Sequence, residues 1–93
     1  IAVPDVFALN QNYPNPFNPS TNIQFDLPNE GEVIIQIYDL KGNLIEALIN
    51  GNMNAGYHQL KWNGSHQASG MYFIRMIADN GNYIKVSKMM LVK

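Results

Sequence analysis

The chain has no cysteine. That excludes a disulfide framework, a thiolate metal site and a cysteine nucleophile, and it leaves the compartment open. Charge is sparse too. Six Lys and Arg stand against seven Asp and Glu, 14% of the residues with a net charge of −1, where globular domains average about 25% charged residues. With no basic excess there is no electrostatic footprint for nucleic acid. Apolar runs such as Val33–Ile35 are far too short to cross a bilayer, so no transmembrane segment is expected. No window repeats apolar residues at i, i+3, i+4 and i+7, so no helix is expected either. No signal-peptide pattern is present and the sequence opens at Ile1 rather than Met, which we read as a piece cut from a longer protein.

What is present is apolar and punctuated. Ninety-three residues, 46% hydrophobic and 11% aromatic, suffice for one small core. Thirteen Asn, seven Gly and five Pro divide the chain into segments of about 7–10 residues, the spacing of an all-β sandwich or barrel. Ile23, Phe25 and Leu27 alternate with polar residues and predict a half-buried strand. Val33, Ile35 and Ile37 form the next apolar face. Asp39–Asn43 is a turn and Leu44–Ile49 returns, so Glu32–Ile49 reads as a hairpin. Asn50–Gly56 reads as a polar loop, and Tyr57–Trp62 as a strand with His58, Leu60 and Trp62 on one side. Between the short segment Phe7–Leu9 and residue 21, Pro14, Pro16 and Pro19 exclude a regular central strand. Tyr13 and Phe17 make that stretch an ordered strap across a sheet edge rather than a plain loop.

Asn80-Gly81 is the strongest hairpin signal, since both residues readily take the positive φ of a type I′ turn. It pairs Met71–Asp79 with Asn82–Val92 so that facing residue numbers sum to 161. Both faces of that hairpin are apolar, whereas a sheet with one wet face alternates cleanly. A register-shifting bulge and a covering loop are the preferred explanations, and a docking surface is the third.

Candidate chemistry is thin. His58 and His66 lie in different segments with no carboxylate beside them, and zinc-ligand spacings are absent. His58 reads as a strand-end histidine and His66 as exposed. Glu30 and Glu32 flank Gly31 in a turn, where carboxylates rarely gain the perturbed pKa of a general acid or base. Ser65 and Ser69 lie near His66 without a nucleophile elbow. No phosphate-binding or dinucleotide fingerprint occurs. We therefore expect no enzyme, no metal and no cofactor. Tyr57, Trp62, Tyr72 and Tyr83 could form a sugar platform, but core packing is the preferred role for Trp62 and Tyr72.

The motifs, taken in order, resemble a known family. Phe7–Thr21, with its Asn-Tyr-Pro-Asn-Pro-Phe-Asn-Pro run, closely resembles the opening of type A C-terminal sorting domains of the type IX secretion system. The resemblance continues through Val33–Gly42, Ala55–His58, Trp62–Gly64, Ala68–Arg75 and Lys88–Lys93. It implies an immunoglobulin-like antiparallel β-sandwich of about seven strands, with residues 1–6 a linker remnant and 7–93 the sorting domain. It also implies an address. Such domains follow an N-terminal cargo domain in Gram-negative bacteria and are recognised in the periplasm. They direct the cargo through an outer-membrane translocon and are commonly removed by a sortase-like protease that attaches the cargo to the cell surface. Carried over by position, the recognition residues are Gly70, Tyr72, Lys88, Met89, Leu91 and Lys93. Lys88 and Lys93 are the better contact candidates, because charges projecting from an apolar strand can steer docking. A carbohydrate-binding module and a structural spacer of a secreted enzyme are the competing readings.

Overall fold

A computed structural model describes residues 2–93; Ile1 lies outside the described residues. Seven strands follow one another: β1 (Ala8–Leu9), β2 (Ser20–Leu27), β3 (Gly31–Asp39), β4 (Leu44–Met53), β5 (Gly56–Asn63), β6 (Gly70–Ala78) and β7 (Tyr83–Leu91). They form two antiparallel sheets, β1-β2-β5 and β4-β3-β6-β7. The sheets pack as an immunoglobulin-like sandwich, as the family resemblance implies and in agreement with the strand count.

The alternation read from the sequence decides which side chains fill it. Thr21, Ile23, Phe25 and Leu27 of β2 point inward, as do Val33, Ile35 and Ile37 of β3 and Tyr72, Ile74, Met76 and Ala78 of β6. Burying each large aliphatic or aromatic side chain contributes about 1.5–3 kcal/mol, so these inner faces supply the driving force. Trp62 lies at the centre of an aromatic cluster, with Phe17 at 5.7 Å and Tyr72 at 5.6 Å between ring centroids. It is only 2% exposed, and its indole N–H donates to Glu46 Oε1 at 3.1 Å, which answers its one polar atom.

Two elements differ from their sequence reading. Asn50–Met53, expected in a loop, extends β4 and pairs with Gly31–Ile34. Polar side chains hid the strand, but β4 is a sheet edge whose outward residues face water, and Asn52 donates to Glu30 at 2.8 Å. Register shifts beside Ile35 and Ile37 add irregularities that blunt this edge. The β6–β7 pairing follows the predicted sum of 161 from Gly70↔Leu91 to Ala78↔Tyr83. Asn80 (φ 53°, ψ 34°) and Gly81 (φ 88°) take the central places of the type I′ turn, closed by a bond from the Asn82 N–H to Asp79 O. Asp79 also has positive φ, so the strands stop one residue earlier than expected, and a short 3-10 turn spans Asp79–Gly81.

Candidate functional site

The six residues carried over from the family motif gather at the open end of the β6–β7 hairpin. Gly70 pairs with Leu91 and Tyr72 with Met89. Tyr72, Met89 and Leu91 belong to the core. The Tyr72 hydroxyl donates to Ala68 O at 2.7 Å and so ties down the 64–69 loop. At Gly70 an added Cβ would meet nothing within 4 Å. The glycine is needed there for its backbone angle, φ 153°, rather than for space.

The two lysines reach the surface by different routes. Lys88 is exposed on the outer face of the sheet, opposite Phe73. Lys93 is exposed but does not project freely. Its N–H donates to Ser69 Oγ at 2.9 Å, and its ammonium donates to the carbonyls of Ser65 at 2.7 Å and Gln67 at 2.9 Å. The motif end is therefore a built unit in which the last residue is stitched to the loop that precedes β6.

The proline-rich strap covers the adjacent edge. It first follows β2 through a bridge between Tyr13 and Asn22, then crosses to β7, where Phe17 and Leu91 form a parallel bridge. Phe17 N–H donates to Met90 O at 2.9 Å and Val92 N–H to Phe17 O at 3.0 Å. Side chains extend the pairing: Met90 N–H donates to Asn15 Oδ1 at 3.0 Å, and Gln11 Nε2 donates to Lys88 O at 2.9 Å. This arrangement covers part of an edge that would otherwise invite pairing with another chain. Phe17 anchors the strap in the core at 2% exposure, whereas Tyr13, expected to help, is 78% exposed. At the β1 end, Phe7 stacks on Tyr83 with ring centroids 5.6 Å apart, and the Tyr83 hydroxyl accepts from Leu9 N–H at 3.0 Å.

A buried polar lock that the sequence reading missed holds the strap's shape. Asn12 and Thr21 are both buried. Asn12 Nδ2 donates to Thr21 Oγ1 at 3.0 Å and to Pro14 O at 3.2 Å, while the Thr21 hydroxyl donates to the same carbonyl at 2.9 Å. The available signal was an asparagine beside a segment whose prolines carry no N–H, so that carbonyls and amides there need side-chain partners. Asn12→Ala strands these groups and is expected to cost about 1–3 kcal/mol. Tyr13→Ala, at an exposed neighbour, is expected to stay within about 0.5 kcal/mol. The urea midpoints of the two variants measure the contrast.

The other candidates do not assemble into a site. His58 is half-buried, stacks on Phe25 with centroids 5.2 Å apart, and its Nε2 lies 2.7 Å from Asn54 O. His66 is exposed. Asp39 lies in the β3–β4 turn, where the Asn43 N–H, the Asn43 side-chain amide and the Lys41 N–H hold its carboxyl below its ordinary value. Among the described residues, no three His, Asp or Glu side chains group as metal ligands, and no helix is long and apolar enough to cross a membrane. Of the four aromatics considered for sugar binding, Trp62 and Tyr72 are in the core and Tyr83 is half-buried; Tyr57 alone is exposed, at 67%.

Neither preferred explanation for the second apolar face of the β6–β7 hairpin holds. The pairing runs without a register shift. Ile84 and Val86 are 59% and 51% exposed, so among the described residues no loop covers them. The face continues across β3, where Ile34 neighbours Ile77 and Tyr38 neighbours Phe73. In its middle, Arg75 pairs across the ladder with Gln36 on one side and Val86 on the other. Its guanidinium lies 5.0 Å from the Tyr38 ring centroid.

A family model described as the secretion system C-terminal sorting domain matches residues 11–92. Among solved structures, PorZ is described as an essential bacterial surface component of the type-IX secretion system of Porphyromonas gingivalis. It aligns over 96% of this chain with a TM-score of 0.60 and 20% identity. The chain spans only 12% of that protein's length, and the likeness is one of fold. No curated protein matches.

Proposed function

The chain belongs to the family of secretion system C-terminal sorting domains, a type IX sorting signal of a secreted or cell-surface protein, and from this premise we propose how it acts as an address. Residues 7–93 are the sorting domain and residues 1–6 a linker to an N-terminal cargo. A translocon in the outer membrane reads the domain after export to the periplasm. A sortase-like protease then removes it and attaches the cargo to the surface. The domain is the substrate of that protease and performs no catalysis itself.

The observation that carries this reading is the match over residues 11–92, which takes in both the strap and the final strand. Lys88 within that stretch and Lys93 just beyond it are the proposed contacts. Gly70, Tyr72, Met89 and Leu91 act as positioning residues, because three of them are buried and Gly70 sets the backbone that starts β6. A stitched Lys93 ammonium suits this role, since a fixed charge loses less side-chain entropy on docking than a free one. A sugar platform is the weaker reading because two of its four rings are buried in the core.

The test is a periplasmic reporter fused to residues 1–93 in a host with a type IX system. Lys93→Ala and Lys88→Glu leave the core untouched. Each is expected to lower surface delivery by about three- to tenfold, the scale of a docking contact worth about 1 kcal/mol. Delivery of both at the parental level would show that the lysines are not read.

A further inference from the structure

The uncovered outer face of the β4-β3-β6-β7 sheet holds a cation in a setting not repeated among the described residues. Arg75 is half-buried among apolar neighbours. Its Nη2 donates to Gln36 Oε1 at 2.9 Å and to the Tyr38 hydroxyl at 2.6 Å, and both acceptors are neutral. Its Nε is shielded from water and, among the described residues, has no hydrogen-bond partner. Nη2 spends both hydrogens on these acceptors and Nε is shielded, so the donor left for a partner is Nη1, where a carboxylate would add a charge-assisted hydrogen bond. The side chains around it are Ile34, Phe73, Ile77, Ile84 and Val86, and Lys88 adds a second positive charge. Of the acids nearby, Glu32 lies at the far end opposite Asn52, and Asp39, which lines the same shallow cleft as Arg75, is engaged by the Lys41 and Asn43 N–H groups and the Asn43 amide.

We propose that this face docks a protein component of the secretion machinery, one presenting an apolar patch with a carboxylate that pairs with Arg75. The proposal rests on the sorting-signal reading and deepens it by naming the partner's chemistry. Size supports a passing encounter. Four strands at about 4.8 Å spacing and about seven residues at about 3.3 Å each give on the order of 400 Å². A stable complex buries about 800 Å² on each partner, so this face alone holds a partner briefly, as an address must. A lipid surface fits less well, since anionic membranes are read by clusters of about 4–8 Lys and Arg and this face carries Arg75 and Lys88.

The experiment uses the same reporter fusion with Arg75→Glu, Arg75→Lys, Val86→Asp and, on the outer side of the other sheet, Lys61→Glu. Arg75→Glu and Val86→Asp are expected to lower surface delivery about tenfold or more, the loss that accompanies removal of one partner from a desolvated pair or its apolar surround. The undelivered fusion should accumulate folded inside the envelope. Arg75→Lys keeps the charge but not the planar guanidinium held by Gln36 and Tyr38 and should fall between, while Lys61→Glu matches the parent. Should Arg75→Glu fail to fold, Val86→Asp decides, because that side chain is already half in water. Parental delivery of the folded variants overturns the docking face and leaves the sorting reading standing. Failure of the parent fusion to reach the surface overturns both. Purified fusion is also mixed with vesicles of phosphatidylethanolamine and phosphatidylglycerol, and its self-association is measured by sedimentation. Vesicle binding or self-association that disappears in Arg75→Glu would assign the face to lipid or to a second copy and overturn the protein partner.

Discussion

Phe17→Ala is expected to cost about 3–5 kcal/mol and to lower the melting temperature by about 15–25 °C. Phe17, which the sequence places on an ordered strap between prolines, packs its ring on Trp62, and its backbone bonds to Met90 of β7 and to Val92 just beyond it. Truncation opens a cavity beside Trp62 and Leu91, and Gly64 closes little of it. A Cβ built on Gly64 stands 3.2 Å from Leu91 Cδ2 and 3.6 Å from the Phe17 ring, so the glycine is already packed against both. Small domains hold a net stability of about 5–15 kcal/mol, so one strap residue accounts for a large share. Calorimetry measures the shift, and a change below about 5 °C would mean that the strap is not part of the cooperative unit.

Deleting residues 88–93 is expected to abolish cooperative unfolding altogether. The deletion removes Met89 and Leu91, both fully buried. Losing such a side chain costs about 2–5 kcal/mol at each position, before the lost ladder with Gly70–Phe73 is counted. Near-ultraviolet circular dichroism with a thermal scan checks it: the deleted chain should lack fixed aromatic signals and a sharp transition. A retained transition would mean that β7 is dispensable to the fold. The result also decides how secretion assays are interpreted. A fusion lacking residues 88–93 that stays inside the cell reports an unfolded address, whereas Lys93→Ala and Lys88→Glu test whether the address is read.

Much of the architecture was legible because local chemistry fixed it. Asn80-Gly81 set a turn type, the turn set a register, and every pair from Gly70↔Leu91 to Ala78↔Tyr83 followed. The alternation in Ile23–Leu27 and Val33–Ile37 identified the inner faces for the same reason, since a strand has only two sides. What escaped was set by distant parts of the chain. Nothing near Asn50–Met53 signals a strand, because its partner is β3 and its outward side chains meet water. Asn12, Asn15 and Gln11 look like ordinary loop residues until β2 and β7 supply their partners. The second face of the β6–β7 hairpin was recognised as apolar, but whether another segment lay over it depended on the path of the whole chain. The motif residues show a similar limit. The family resemblance placed them and the hairpin register brought them to one end of β6–β7, while the stitching of Lys93 to the 64–69 loop required the packed sandwich.

The strap and β7 run in the same direction where Phe17 bridges Leu91. A cargo joined before the strap and a grip on the last residues of β7 would therefore pull on opposite ends of parallel neighbours. Tension along that line loads the bonds from Gln11 to Phe17 together, in shear, instead of peeling them one after another. The sandwich is thus braced along the axis on which an attached cargo would drag, and it yields more readily to a force that lifts the strap sideways from its edge.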